Sequence, residues 1–72
     1  MDYLQLLQKA LAEEIQATRL YLACMAAAPQ SDIPVLLEIN TDETDHIALI
    51  STLIANHKGQ RVDYETRVPG VN

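Results

Sequence analysis

Cysteine, basic residues and long hydrophobic runs are all scarce in this chain, and each shortage excludes something. A single cysteine among 72 residues cannot form a disulfide within its own chain, and it suggests a reducing, cytosolic setting. A domain this small buries a modest share of its surface, so with disulfides excluded the core needs a metal or a second copy as supplement. Five Lys and Arg against ten Asp and Glu give a formal net charge of -5. Without clustered cations there is nothing to contact a phosphate backbone, which excludes nucleic acid as a partner. The acidic excess is most simply a solvated surface. The longest charge-free stretch, LYLACMAAAPQS, is too short to span a bilayer, and the N-terminus lacks the basic residues and small-residue cleavage site of a signal peptide. A soluble, cytoplasmic protein without a membrane partner is expected.

Glycine and proline are missing from residues 2 to 28, which are rich in Leu, Ala, Gln and Glu and open on Asp2, a good N-cap. This stretch reads as one long helix. PQSD then interrupts it. Ser31 or Asp32 is placed to cap a second helix, Pro34 is tolerated in its first turn, and the apolar period runs from about residue 33 to about His57, with Gly59 as the stop. Beyond it the period changes: in RVDYETRV, Val62, Tyr64, Thr66 and Val68 alternate with Asp63, Glu65 and Arg67, the pattern of an extended segment. The expected fold class is all-α, an antiparallel two-helix hairpin over residues 1 to 59 followed by an extended C-terminal arm over 60 to 72. The arm, with backbone groups unpaired, is expected to pack on a neighbouring chain.

Two adjacent glutamates interrupt the apolar pattern of the first helix, and at about 100° per residue only one of them can face water. Leu4, Leu7, Leu11, Ile15, Thr18, Leu22 and Met25 fall within an arc of roughly 80°, with Glu14 about 20° beyond its edge and Glu13 on the opposite side. Glu14 is therefore expected to point inward. On the second helix Leu36, Ile39, Ile47, Ile50, Leu53 and Ile54 define the apolar face, and Glu43 and His46 of DETDH lie within it, one turn apart, while Asp45 points away. An unpaired carboxylate in an apolar interior costs several kcal/mol, so inward Glu14 and Glu43 need a partner. Lys9 and Arg19 lie off the central stripe, and the second helix has no Lys or Arg before Lys58. Counted back from the turn at about 1.5 Å per residue, Glu14 stands roughly level with His46. Two carboxylates and an imidazole are half of the carboxylate-bridged di-metal site of helix bundles, which takes one Glu from each of two helices and Glu-x-x-His from each of the other two. Two copies of the hairpin would complete it.

EIQATRLY fits the E-x-x-A-x-x-x-Y pattern, and ETDH the E-x-x-H pattern, of the ferritin-like superfamily. In spacing and order the chain resembles the rubrerythrin-type members and, most closely, the short encapsulated-ferritin type, over about residues 5 to 58. That resemblance implies a homodimer, or a higher homo-oligomer, in which two hairpins form a four-helix bundle. It implies a ferroxidase site with Glu14 as a terminal iron ligand, Glu43 as a bridging ligand and His46 as a terminal nitrogen ligand. It implies two iron ions per dimer, and oxidation of Fe(II) by dioxygen or peroxide. Four carboxylates in a dimer balance two ferrous ions, and the imidazoles favour iron over calcium or magnesium. Encapsulated ferritins carry a third helical segment and a C-terminal docking peptide, neither recognisable in RVPGVN, which argues against an encapsulin shell as partner. Rubrerythrins carry a four-cysteine iron module that one cysteine cannot build, so electrons for any redox cycle would come from outside.

The same resemblance makes Tyr21 a residue lining the site, and a packing tyrosine is the ordinary alternative. Asp42 could accept a hydrogen bond from the outer nitrogen of a second copy's His46, or be a plain solvated carboxylate. His57 lies about 16 Å from His46 along the helix, too far for the same ion, and reads as a helix C-terminal histidine. Cys24 reads as a small buried apolar residue. A function from another class also fits the pattern: a non-catalytic helical assembly module whose interface metal is structural.

Overall fold

The computed structural model describes residues 1–59; the expected arm over 60–72 lies outside them. Two helices of 25 residues each, α1 (Tyr3–Ala27) and α2 (Ile33–His57), are joined through a single 3-10 turn (Gln30–Asp32). No strand occurs among the described residues, and no helix there is long and apolar enough to cross a membrane.

The ends of the helices follow from local chemistry. The Asp2 carboxylate accepts from the Gln5 backbone N–H at 2.8 Å, and the Gln5 side-chain oxygen accepts from the Asp2 N–H at 2.9 Å, a reciprocal capping box. Pro29 stops α1, because the residue before a proline is driven to extended backbone, and Ala28 adopts ψ 153°. The expected cap on α2 is absent. Asp32 occupies the N-cap position in helical conformation (φ -89°, ψ -17°) and makes no side-chain capping bond. The 3-10 turn feeds straight into the helix, so the Ile33 N–H is already taken by the Gln30 carbonyl. At the far end the Gly59 N–H donates to the Asn56 carbonyl at 3.0 Å, and Gly59 takes φ +87°, the left-handed conformation that glycine adopts without penalty.

The two helices meet along a seam in which steps of three and four alternate. On α1 it runs through Leu4, Leu7, Leu11, Glu14, Thr18, Tyr21 and Met25; on α2 through Ile33, Leu36, Asn40, Glu43, Ile47, Ile50 and Ile54, each of them buried or half-buried. Its open end is closed by the Tyr3 and His57 rings, packed edge to face with centroids 5.4 Å apart. This corrects the broader stripe expected from the wheel. Ile15, Leu22 and Leu53 are exposed, and Glu14 lies on the seam itself, not beyond its edge. One neighbouring helix covers only a narrow strip, so residues flanking the strip stay uncovered however apolar they are. Cys24 is exposed for the same reason, against the expectation of burial.

What the hairpin leaves uncovered is large. Among the described residues only Leu7 and Thr52 are buried, the latter with its hydroxyl donating to the Ala48 carbonyl at 2.9 Å. Leu6, Leu20, Leu22, Val35 and Leu37 are each more than half exposed.

Candidate metal centre

Glu14 comes from the middle of α1, and Glu43 and His46 from successive turns near the middle of α2. The 3-4 spacing of the seam is what directs Glu14 and Glu43 at each other, since each follows the same series as the seam residues beside it, Leu11 and Thr18 on α1 and Asn40 and Ile47 on α2. One ligand atom from each of Glu14, Glu43 and His46 lies within 4.8 Å of the others. His46 Nδ1 is 3.5 Å from Glu14 Oε2, too long for a good hydrogen bond, and Oε2 is left buried with no donor. Among the described residues no Lys or Arg pairs with either glutamate; Lys9 and Arg19 are exposed.

His46 differs from its expected place. The helical spacing predicts it within the inward apolar face, yet its side chain is 51% exposed against 28% for Glu14. Lying three residues beyond Glu43, it is rotated about 60° off the seam, so it flanks the cluster from the open side of the hairpin. A carboxylate facing another carboxylate is the electrostatic signature of the site. The Glu43 carboxyl is held above its ordinary range, foremost by the hydrogen bond that its protonated form shares with Glu14. Desolvation and the Glu14 charge add to this, His46 opposes it, and Asp42 makes a smaller contribution in the same upward direction.

The other candidates are not gathered into the cluster. Tyr21 is half-buried on the seam, two turns from Glu14 or about 10 Å along the axis. Asp42 is exposed, near enough to raise Glu43 but on the outer surface of α2. Glu13 and Asp45 face water, as their wheel positions require. One polar residue of the seam escaped the sequence reading: Asn40, whose Oδ1 is buried with no hydrogen-bond partner. Its signal was present in the spacing, because Asn40 falls in the 33, 36, 40, 43, 47 series, and only the looser wheel hid it. The register fixed by Glu14 with His46 and by Tyr3 with His57 brings Thr18 within about 3 Å of Asn40 along the helix axis, and the Thr18 hydroxyl donates to the Glu14 backbone carbonyl at 3.1 Å.

Chemically the set is two oxygen ligands and one nitrogen ligand from two rigid helices. It suits a divalent transition metal better than calcium, which takes oxygen alone. Comparison with protein-family models, with characterised proteins and with solved structures gives no significant match for this chain.

Proposed function

We propose that this chain is half of a di-iron protein of the ferritin-like type: two hairpins join into a four-helix bundle, and the interface binds two Fe(II) ions as substrate and oxidises them. The observation that carries this reading is the triad Glu14, Glu43 and His46, gathered within 4.8 Å from two helices with a buried Glu14 oxygen lacking any donor. A carboxylate pair without a cation is costly in such a place, and a divalent ion is the partner that removes the cost.

The exposed surface supports a second copy. His46 flanks the triad from the uncovered side, and more than half of each of Leu6, Leu20, Leu22, Val35 and Leu37 faces water, more apolar surface than a stable monomer usually leaves open. Doubling the triad supplies four carboxylates and two imidazoles, the donor set of the bundle-type di-iron site. Each ferrous ion gives up one electron; dioxygen takes the pair with two protons and leaves as hydrogen peroxide, or hydrogen peroxide takes them and leaves as two waters. Glu14 and Glu43 hold the ions and absorb the extra charge of the ferric state, and His46 fills a nitrogen position.

Metal analysis of protein purified without chelator, followed by aerobic addition of Fe(II) monitored in the near ultraviolet, tests the reading. Expected are two iron ions per dimer and an absorbance that grows faster than in buffer alone. Iron bound without any oxidant-dependent change would leave a structural interface metal and remove the catalytic role. No bound metal at all would overturn the proposal.

A further inference from the structure

Two side-chain oxygens among the described residues are buried without a hydrogen-bond partner, Glu14 Oε2 and Asn40 Oδ1. The first belongs to the triad. The second sits one turn before Glu43 on the same seam, where every other layer apart from the Glu14–Glu43 layer offers Leu, Ile or Met from at least one helix. An asparagine there is costly unless something donates to it, because an orphaned buried acceptor forfeits its desolvation energy. Thr18, about 3 Å off its level on α1, already donates its hydroxyl proton to the Glu14 carbonyl. The surrounding backbone N–H groups are committed to the helices.

We propose that Asn40 belongs to the metal site, its side-chain carbonyl oxygen accepting a hydrogen bond from a water that the bound cation carries. The inference rests on the metal reading above and adds a residue to it. Asn40 stands one turn from Glu43 on the same seam, about 4.5 Å of rise away, so a water carried by the ion can bridge from the cluster to the Asn40 oxygen. A metal-bound water is a strongly polarised donor, and a hairpin that offers three ligand side chains leaves positions on the ion for water. Asn40 is thus a positioning residue: it orients what the ion carries, and in the two-copy site it occurs twice.

The test uses Mn²⁺ as probe, bound to the full-length protein and followed by loss of the free-ion electron paramagnetic resonance signal. Asn40→Leu keeps the shape and removes the acceptor; Asn40→Asp keeps the acceptor and removes any donor. Expected are about tenfold or more weaker Mn²⁺ binding in Asn40→Leu, the size typical of lost outer partners, and binding in Asn40→Asp at least as tight as in the unaltered protein. The melting temperature of metal-free Asn40→Leu should be unchanged or higher, which separates lost affinity from lost fold. A loss under threefold in Asn40→Leu, with Glu43→Ala no longer binding, overturns the role of Asn40 and leaves the metal site standing. Equal losses in both Asn40 variants overturn the acceptor role as well. If the unaltered protein takes up no Mn²⁺, the metal reading itself fails and this inference goes with it.

Discussion

At the scale of single residues, the contrast between Glu13 and Glu14 shows how much one helical step decides. The two are chemically identical neighbours; Glu13 is exposed, and Glu14 is half-buried opposite Glu43 and His46. Replacing Glu14, Glu43 or His46 by Ala should abolish tight binding of two metals per dimer, whereas Glu13→Ala and Asp45→Ala should leave it intact. Equal metal content in all five, by elemental analysis, would dispose of the site. Without metal the same carboxylates are a liability. Glu43 binds its proton more tightly folded than unfolded, so above the ordinary glutamate pKa the folded state holds the extra proton and stability falls as pH rises through the raised value. Metal-free protein should therefore lose melting temperature from mildly acidic to neutral pH, and Glu43→Gln should flatten that slope and melt higher at pH 7. Glu14→Gln should also raise the melting temperature, since it too removes one of the facing charges. Circular dichroism melts across pH decide it: parallel slopes for Glu43→Gln and the unaltered protein would mean that the two carboxylates do not meet in solution.

At the scale of the elements, the hairpin is held at its ends by backbone chemistry that few other contacts duplicate. Asp2 satisfies the Gln5 N–H and receives the Gln5 side chain in return, so Asp2→Ala should cost about 1 kcal/mol. In a domain of this size that corresponds to a melting temperature lower by roughly 4–8 °C. Gly59 has open space around the place where a Cβ would stand, yet its φ is +87°. Gly59→Ala should thus cost about 1–2 kcal/mol through backbone conformation alone. Gly59→Asn should cost less, because asparagine tolerates the left-handed region. A thermal melt with both Gly59 variants equal to the unaltered protein would show that the last turn of α2 frays and that its end contributes nothing to the hairpin.

At the scale of the whole molecule, two helices cannot cover each other and remain a complete core. Exposed Leu20, Leu22, Val35 and Leu37 favour association on hydrophobic grounds alone, and the proposed metal shared by two chains would add to it, because an ion that binds the dimer and not the monomer shifts the equilibrium toward the dimer. Light scattering during size exclusion should give a dimer or larger species with Fe(II) and a smaller average mass with chelator. A monomer under both conditions would remove the four-helix bundle and the proposed function together. Truncation after Gly59 that leaves the number of chains per particle unchanged would remove only a role for the arm in assembly.

Local chemistry made the two helices legible in the sequence. The Asp2 cap, the absence of Gly and Pro from 2 to 28, the break at Pro29 and the stop at Gly59 act within a few residues of themselves, and α2 spans the expected 33 to 57 while α1 begins and ends one residue inside its expected bounds. The inward turn of Glu14 and its level with His46 were also readable, because helical rise and rotation are constants. Which flank residues are covered was not. Ile15, Leu22 and Cys24 are as apolar as the seam residues, and only the narrowness of contact between two helices leaves them in water. Packing likewise set His46 at the open edge of the triad and put Asn40 on the seam without a partner. A wheel gives direction around one helix, but burial depends on what stands opposite, and that is decided only when the second helix is in place.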